Sequence, residues 1–401
     1  MASLQGTQIS TLLHKYGRRA RYPVRWHSHT LLAPISEPYG ELMVERSRAW
    51  CLRIGMPLLL MVMAAHVPGA SAAEPAPGGP IPVKVLIINM FGLEAAPWLA
   101  ALHPEQSIRV PGLARPGQGP DMANVRCTAA GICQLTTGMG HANAAASMMA
   151  VLYSGLFDFR RTYFIVAGIG GIDPERGTIG SAAWARFLVD GGIAHEVDPR
   201  ELPPNWHDGY FGVLTNSPDA MPKLEYGTEV FRLDETLLQK ALALSQAAVL
   251  EDAPALAAYR QHYREPAARR PPSVLLCDTL TSDTWWAGQR LGERARHWTQ
   301  LVTKGAGTYC TSQQEDNATF EAMMRASESG LIDLQRVAVL RSGSDFDRPY
   351  PGQSVLSSLQ AQGDLNGAMH AATENLVRAG MPLVGAIQTH WDEWQSGVPA
   401  K

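Results

Sequence analysis

Short apolar runs alternate with periodic amphipathic stretches along most of the chain. Four runs, at 83–88, 161–167, 273–277 and 336–340, are rich in branched apolar residues and read VKVLII, RTYFIVA, SVLLC and RVAVL. Such runs are typical of buried strands in a parallel sheet. Apolar positions at helical spacing predict helices over 143–156, 237–256, 319–329 and 367–379. This alternation predicts a single α/β domain of about 320 residues.

The composition supports a large folded core and argues against binding to nucleic acids. Of the 401 residues, 46% are hydrophobic and 18% are charged, which excludes a disordered chain. The net charge of −3 combines a basic N-terminal segment with an acidic remainder. Eight Lys or Arg and three Asp or Glu precede residue 73, whereas 26 and 34 follow. An acidic domain lacks the basic surface that binds a phosphate backbone.

Residues 43–72 have the organisation of a secretory signal peptide. Three arginines precede an apolar stretch at 54–65, and small residues ending at Ala72 form a cleavage signal. A membrane anchor is the alternative, but the apolar stretch has about a dozen residues and contains Pro57, whereas a spanning helix needs roughly 20. We therefore expect cleavage near Ala72 and export to the periplasm or the medium.

The expected signal peptide divides the rest of the chain into three parts. Residues 1–42 are an N-terminal extension, which is unusual before a signal peptide and points to a misassigned start codon. Residues 73–82 form a tether rich in Pro and Gly, and residues 83–401 form the domain. This domain contains no apolar run long enough to span a membrane, so we expect the mature protein to be soluble.

The cysteines agree with an oxidising compartment. Cys51 lies in the expected signal peptide, which leaves Cys127, Cys133, Cys277 and Cys310. An even number of cysteines in an exported protein predicts two disulfides, with three pairings open. The short turn between Cys127 and Cys133 favours a bridge across a hairpin. Four buried free thiols are the alternative.

Three carboxylates occupy positions at which α/β sheets place their binding residues. Glu94 follows the first apolar run, Asp345 follows the last, and Glu315 opens a helix. Taken singly, each is also explained as a helix cap or a first-turn acid. Taken together, they suit cleavage of an N-glycosidic bond. We expect Asp345 to protonate a purine leaving group, Glu94 to activate a water, and Glu315 to accept hydrogen bonds from the ribose diol.

Further candidate ligands come from turns, strand ends and aromatic residues. The turn before the helix at 143 can hold an anion or a sugar hydroxyl, although such turns are often only structural. Glycines at strand ends let the backbone approach a ligand closely, and amide or carboxylate groups can read the purine edge. Trp285, its neighbour Trp286 and Phe91 are candidates to stack on a base, although most aromatic residues belong to the core. The expected binding residues are Glu315, Gln314, Gln313, Asp278, Thr137, Gly138, Ile169, Gly170, Ser344, Trp285 and Phe91.

No metal and no cofactor are expected. The His and Cys residues lack the spacing of a zinc site. The adjacent His207 and Asp208 have no further ligand at a metal-site spacing, so we interpret them as part of a loop. His141 and His195 titrate near neutral pH, but a single histidine is more often structural, and we do not assign either as a catalyst.

The order of six motifs resembles that of a known superfamily. The segments VLII..FGLEA, LTTGMGHANAA, VAGIGGIDP, CDTLTSDTW, SQQEDNA and RSGSD resemble the nucleoside phosphorylases and nucleosidases, and more closely the exported purine nucleoside permeases. The resemblance extends from Val83 to the C-terminus. It implies a three-layer sandwich with a central mixed, mostly parallel sheet, like that of a nucleoside phosphorylase.

The resemblance also implies roles for the three acids. The superfamily acid at the position of Glu315 binds the 2′ and 3′ hydroxyls of ribose. The aspartate at the position of Asp345 protonates or hydrogen-bonds purine N7. In the methylthioadenosine nucleosidase branch, the acid at the position of Glu94 helps to activate water.

Two departures from the superfamily pattern modify this expectation. Phosphorylases carry an arginine in the first-strand loop that binds phosphate, but residues 89–96 contain no Arg or Lys. Hydrolysis is therefore favoured over phosphorolysis. Gln314 stands where the superfamily often has Met, which changes the floor of the ribose pocket.

The predicted function is that of an exported purine nucleosidase that supports nucleoside uptake. The alternatives are a phosphate-dependent purine nucleoside phosphorylase and a non-catalytic nucleoside-binding component of a transport system. The expected partners are a purine nucleoside and, for uptake, a separate membrane transporter. Relatives of the fold often self-associate, so a homo-oligomer is also considered.

Overall fold

Two ten-residue strands in a branched sheet organise the fold. The computed structural model describes residues 79–114, 120–361 and 367–400. The expected signal peptide, the extension before it and most of the tether lie outside the described residues.

Strands and helices alternate in parts of the chain, but seven strands, β6 to β12, follow one another without a helix. The strands are β1 (Ile81–Pro82), β2 (Val85–Asn89), β3 (Gln106–Arg109), β4 (Asn124–Cys127), β5 (Ile132–Thr136), β6 (Phe157–Asp158), β7 (Tyr163–Ile172), β8 (Ala182–Trp184), β9 (Phe187–Asp190), β10 (His195–Glu196), β11 (Tyr210–Phe211), β12 (Val230–Arg232), β13 (Val274–Leu276), β14 (Asp278–Thr281), β15 (Tyr309–Gln313) and β16 (Val337–Phe346). The α-helices are α1 (Gly92–Leu102), α2 (His141–Leu152), α3 (Glu235–Ser245), α4 (Pro254–Tyr259), α5 (Gln289–Val302), α6 (Asp316–Glu328), α7 (Val355–Ala361), α8 (Ala368–Thr389) and α9 (Trp391–Trp394).

The main sheet is mixed, with a parallel centre. Its strands lie in the order β12-β9-β14-β15-β7-β2-β5-β4-β3, and β16 branches from β7 to β8 and β13. The pairs β2–β5, β2–β7, β16–β7, β14–β15 and β14–β9 are parallel. The pairs β12–β9, β3–β4 and β4–β5 are antiparallel, as are β15–β7 and β16–β8. Parallel strands bring their carboxyl ends to one edge, where α/β sheets form their binding sites.

Both faces of the sheet are covered by helices. In β2, Leu86 and Ile88 belong to a core that contains side chains of α2 and α6. The alternate residues Val85 and Ile87 belong to a second core with side chains of α1, α3 and α8. Successive side chains of a strand point to opposite faces, so a fully apolar strand requires cover on both. The expected α/β fold, a three-layer sandwich around a mixed sheet, is confirmed.

Two of the predicted strands are longer than the apolar runs that indicated them. The runs at 161–167 and 336–340 correspond to β7 and β16, which continue through the glycine-containing segments after the runs. The prediction of one helix over 237–256 is wrong, because α3 ends at Ser245 and Pro254 begins the separate helix α4. Proline fits the first turn of a helix but not its interior.

The four cysteines outside the expected signal peptide form two disulfides. Cys127 and Cys133 are directly paired positions of the antiparallel strands β4 and β5, with their Cα atoms 4.1 Å apart. Cys277 precedes β14 and is bonded to Cys310 of the neighbouring strand β15. The expected disulfide across the hairpin is therefore present, and the four cysteines are not free thiols.

Candidate active site

One cavity of about 220 Å³ lies at the carboxyl ends of β2, β5, β14 and β15 and beside the second halves of β7 and β16. The predicted site residues that line it are Phe91, Glu94, Ile169, Gly170, Trp285, Gln313, Gln314, Glu315, Ser344 and Asp345. Segments that are far apart in the sequence therefore meet at the edge of the sheet predicted for them.

A β-bulge in β16 positions Asp345. Gly343 pairs with Gly170 and Asp345 pairs with Gly171, so Ser344 is an extra residue between the two pairs. A bulge interrupts the alternation of side chains and is often found beside active sites, where it re-aims a side chain. Both Ser344 and Asp345 line the cavity as a result.

Asp345 is a buried carboxyl group with an elevated pKa. Burial raises the pKa of Asp345 to about 7, and the negative charge of Asp347 adds to this effect. The Ser344 hydroxyl donates to Asp345 Oδ1 at 2.8 Å and lowers the pKa. Among the described residues, no Lys or Arg forms an ion pair with Asp345. A carboxyl group in this setting is half protonated near neutral pH.

Glu94 is fixed by two backbone amides. The Ile169 N–H donates to Oε1 at 2.8 Å, and the Met90 N–H donates to Oε2 at 2.7 Å. Burial raises the pKa of Glu94 to about 7 against the opposing charge of Arg341. The charge of Glu315 also raises this pKa, whereas the two amides lower it. The side chain therefore has one defined orientation at the cavity wall.

Glu315 forms a buried ionic group with Arg341. Glu315 Oε2 lies 3.3 Å from Arg341 Nη2, and the same Nη2 lies 2.5 Å from Oδ1 of Asp316. Arg341 Nη1 donates to the carbonyl of Ile169 at 3.0 Å. Burial lowers the pKa of Arg341, but the charges of Asp316 and Glu315 more than compensate and raise it. Arg341 therefore forms ion pairs with two acids of its own chain.

The turn before α2 supports Glu315. The Gly140 N–H, at the N-terminus of α2, donates to Glu315 Oε1 at 3.0 Å. The positive end of the helix dipole thus faces the carboxylate. Gln313 binds backbone N–H groups at the start of α6. Its Oε1 accepts from the N–H groups of Glu315 and Asp316 at 2.7 and 3.0 Å. The Glu315 carboxylate does not cap its own helix, and Glu315 lines the cavity.

A loop with two tryptophans forms one wall of the cavity. Trp285 is 59% exposed, whereas Trp286 is buried near Tyr309 with 6.5 Å between ring centroids. Gln314 Nε2 donates to the carbonyl of Asp283 in this loop at 2.8 Å. Gln314 therefore links the loop to the end of β15.

His141 also binds this loop, through Asp283. Its backbone N–H donates to Asp283 Oδ1 at 2.9 Å, and its Nδ1 lies 3.0 Å from the same oxygen. The hydrogen bond with Asp190 is the main reason that the pKa of His141 is raised to about 9, and Asp283 contributes. These contacts give His141 a structural environment, and it does not line the cavity.

Three of the predicted binding residues lie outside the cavity lining. Thr137 donates from its hydroxyl to the carbonyls of Asn89 and Gly138, and the Gly138 N–H donates to Met90. Asp278 accepts from the backbone N–H groups of three residues, Arg186, Phe187 and Thr308. Thr137, Gly138 and Asp278 do not line the cavity, because their polar groups join strands and loops of the protein itself.

Several cavity residues were not predicted from the sequence. They are Met90, Met139, Gly171, Ser282, Thr284, Ser312, Arg341 and Met369. For Arg341 a signal existed, because an arginine in an apolar strand needs a buried carboxylate, and Glu315 and Asp316 were adjacent candidates. The methionines carry no comparable signal, since an isolated Met is most often a core residue.

The other histidines named in the sequence analysis, His195 and His207, lie apart from the cavity. His195 Nε2 accepts from the Leu214 N–H at 3.3 Å, and its ring packs on Phe211. His207 and Asp208 lie beside His297 of α5, a residue that spacing alone did not connect with them.

The matching family model is that of the purine nucleoside permeases, and it covers residues 82–399. The chain belongs to the purine nucleoside permease family. Two relatives have this name. A probable purine nucleoside permease of Schizosaccharomyces pombe is 42% identical over 328 residues, covering 78% of this chain and 90% of the relative. A purine nucleoside permease of Candida albicans is 39% identical over 320 residues, covering 78% and 77%.

Solved structures include a similar chain from Neisseria meningitidis. It is a 5′-methylthioadenosine/S-adenosylhomocysteine nucleosidase in complex with methylthio-immucillin-A. The superposition has a TM-score of 0.44 at 13% identity and covers 76% of this chain and 99% of that chain. In the present protein, none of the helices among the described residues is long and apolar enough to span a membrane.

Proposed function

We propose that this protein binds purine nucleosides and hydrolyses their N-glycosidic bond. The observation that carries the proposal is the convergence of Glu94, Glu315 and Asp345 on one cavity whose lining cation, Arg341, is already paired with acids. Cleavage of this bond requires a proton for the departing base and a nucleophile for the ribosyl centre, which develops positive charge. An acidic cavity favours both requirements.

Asp345 is the proposed general acid. Its protonated form is available near pH 7 because burial and the charge of Asp347 raise its pKa to about 7. An acid with a pKa near the working pH transfers a proton most effectively. Asp345 donates this proton to N7 of the purine, so that the base leaves as a neutral molecule.

Glu94 is the proposed general base. Two backbone N–H groups bind its two oxygens, an arrangement that stabilises and orients the ionised form. Its remaining lone pairs can accept a proton from a water in the cavity. The water then attacks C1′ of the ribose, its proton passes to Glu94, and the electrons of the glycosidic bond leave with the base.

Glu315 is the proposed ribose ligand. Arg341 Nη2 and the Gly140 N–H, at the N-terminus of α2, lie 3.3 and 3.0 Å from its oxygens and hold the carboxylate in place. A carboxylate accepts about four hydrogen bonds. Oε2 also accepts from the Gln314 N–H at 3.2 Å, so Oε1, which accepts from the Gly140 N–H, is the oxygen with capacity for a ribose hydroxyl group.

The charges of the cavity favour hydrolysis over phosphorolysis. A phosphate dianion needs cationic donors with free N–H groups. Among the described lining residues Arg341 is the cation, and it is bound by Glu315, Asp316 and the carbonyl of Ile169. Three acids in the same cavity would repel the dianion further.

The deciding experiment measures base release with and without phosphate. Purified protein is incubated with adenosine, inosine and guanosine, and free base is quantified by chromatography. Release that does not depend on phosphate is the expected result. Strict dependence on phosphate would support a phosphorylase instead, and absence of release in both conditions would exclude catalysis.

A non-catalytic nucleoside-binding protein is the second candidate, because the relatives are named permeases. It predicts nucleoside binding without turnover and little change of affinity in Asp345→Asn. The proposed nucleosidase predicts that this variant still binds nucleoside but releases almost no base. Calorimetric binding and base release, measured on the same samples, distinguish the two.

The proposal includes an exported protein that acts in nucleoside uptake. Support comes from the signal-like order of residues 43–72 and from the two disulfides, which are typical of oxidising compartments. In this role the protein supplies base or nucleoside to a separate membrane transporter. N-terminal sequencing of the exported form tests the expected cleavage after residue 72.

A further inference from the structure

A long segment between β9 and β12 contains little regular structure. Residues 191–229 include only the two-residue strands β10 and β11. Loops of this length are uncommon in a compact domain unless they have a function. The segment is held against α5 by the rings of Tyr210 and Trp298, 4.8 Å apart, and by an ion pair between Glu196 and Arg294.

Three metal-binding side chains meet between this segment and α5. His207 and Asp208 come from the segment and His297 from α5, and one ligand atom of each lies within 4.8 Å of the other two. His207 Nε2 is 3.4 Å from Asp208 Oδ2, and the two imidazole centroids are 4.8 Å apart. Two imidazoles and one carboxylate form a donor set that Zn²⁺ binds readily.

A second carboxylate stands next to these donors. Asp219 Oδ1 lies 3.0 Å from His297 Nε2. Carboxylates beside a metal-bound histidine orient its ring and increase its basicity. The same recess also contains Arg290, Glu293 and Arg294, of which Arg294 is engaged by Glu196 and by the ring of Tyr210. Acidic groups therefore balance the arginines around the donors.

We propose that His207, Asp208 and His297 bind a divalent transition-metal ion of the zinc class, which fastens residues 191–229 to α5. Ligand atoms of a tetrahedral zinc site lie about 3.4 Å apart, given bond lengths of about 2.1 Å. The donors have to move closer by about an ångström. His207 and His297 are 48% and 33% exposed, so their side chains have room to rotate.

The ion closes a loop of 90 residues between His207 and His297, and closure of a long loop stabilises the folded state. The site does not touch the cavity and does not depend on the proposed nucleosidase activity.

The test uses zinc chloride alone and protein without a polyhistidine tag. Metal-free protein is prepared with a chelator and dialysed, and zinc binding is measured by calorimetry together with the melting temperature. We expect one zinc per chain and a melting temperature that rises by a few degrees. In His297→Gln the affinity falls by at least about 100-fold, and in Asp219→Asn it falls by about 10-fold.

The matched control is His390→Gln, which removes an exposed histidine at the end of α8. This variant keeps the zinc affinity of the unmodified protein. Without zinc, circular dichroism of His297→Gln should equal that of the unmodified protein, which separates lost binding from misfolding. No stoichiometric binding at micromolar zinc, or equal loss of affinity in His390→Gln and His297→Gln, overturns the proposal. Both outcomes are independent of whether nucleosides are hydrolysed.

Discussion

Glu94 and Asp345 are buried carboxyl groups of the same cavity with a pKa of about 7, but the protein holds them in different ways. Glu94 accepts one backbone N–H on each oxygen and lies in the field of Arg341. Asp345 receives one hydroxyl hydrogen bond and has the negative charge of Asp347 nearby. Each group has one opposing negative charge nearby, Glu315 for Glu94 and Asp347 for Asp345. Glu94 has three stabilisers of a negative charge, Arg341 and two amides, whereas Asp345 has one, the Ser344 hydroxyl.

This difference assigns complementary roles to two groups with similar pKa values. Hydrogen bonds to an ionised carboxylate favour the base form, whereas burial beside a like charge favours the acid form. Pairs of titratable groups with different environments mark the acid and the base of many active sites. Two predictions follow from this comparison. Activity lost with the acid and activity lost with the base should be restored by different reagents.

The largest effect is expected for Asp345→Asn. Without a proton donor, kcat for purine nucleosides should fall by about 10³-fold, within the range usual for general acid catalysis. A nucleoside methylated at N7 already carries a cationic base and needs no proton. Chromatographic base release should therefore show that Asp345→Asn cleaves the methylated nucleoside nearly as fast as the unmodified protein does. Equal loss on both substrates would contradict the role of Asp345 as the acid.

A smaller loss, about 10²-fold in kcat, is expected for Glu94→Ala. Azide is a nucleophile that needs no deprotonation and fits the space left by the side chain. Adding azide should restore base release in Glu94→Ala with formation of a ribosyl azide, detected by mass spectrometry. Asp345→Asn is the matched control and should gain nothing from azide. Rescue of both variants, or of neither, would remove the distinction between base and acid.

The sequence predicted these two acids because both follow apolar runs. A run such as 83–88 must be buried, and a buried parallel strand delivers the residue after it to the edge of the sheet. Asp345 was expected just after its strand, but β16 continues through it. The backbone of this polar segment is satisfied by pairing with β7, which a local apolar pattern does not reveal.

Other features of the site depend on contacts that are distant in the sequence. Gly170 lies where a side chain would meet the carbonyl of Ser312 at 2.5 Å, so its role is close packing of β7 against β15. Asp278 was expected to bind the edge of a purine, but its carboxylate accepts hydrogen bonds from three backbone N–H groups of other segments. A carboxylate with a structural partner and one with a ligand are identical in sequence, so only the fold separates them.

Asp345 should also limit the stability of the protein at alkaline pH. Its folded pKa of about 7 lies above the value of 3.8 for an exposed aspartate, so its burial is favourable below pH 3.8 and this contribution is lost as pH rises through 7. Asn cannot ionise. Asp345→Asn should therefore melt about 2 to 4 °C above the unmodified protein at pH 8, and the difference should shrink towards pH 4.

Scanning calorimetry at both pH values checks this prediction. The exposed Asp392 provides the control, because Asp392→Asn removes a carboxylate without removing a buried charge. If Asp345→Asn melts at or below the melting temperature of the unmodified protein at pH 8, ionisation of Asp345 does not destabilise the folded state.

The smallest effect is expected from removing the Ser344 hydroxyl group, which donates a hydrogen bond to the Asp345 carboxylate. The Ser344 hydroxyl stabilises the ionised form, so Ser344→Ala should raise the pKa of Asp345. Activity requires Glu94 ionised and Asp345 protonated, so the alkaline limb of the kcat/KM profile reports Asp345. This limb should move upward by roughly one pH unit or less, while the acidic limb, which reports Glu94, stays in place. An alkaline limb that moves downward, or an acidic limb that moves with it, would show that the two limbs do not belong to these two groups.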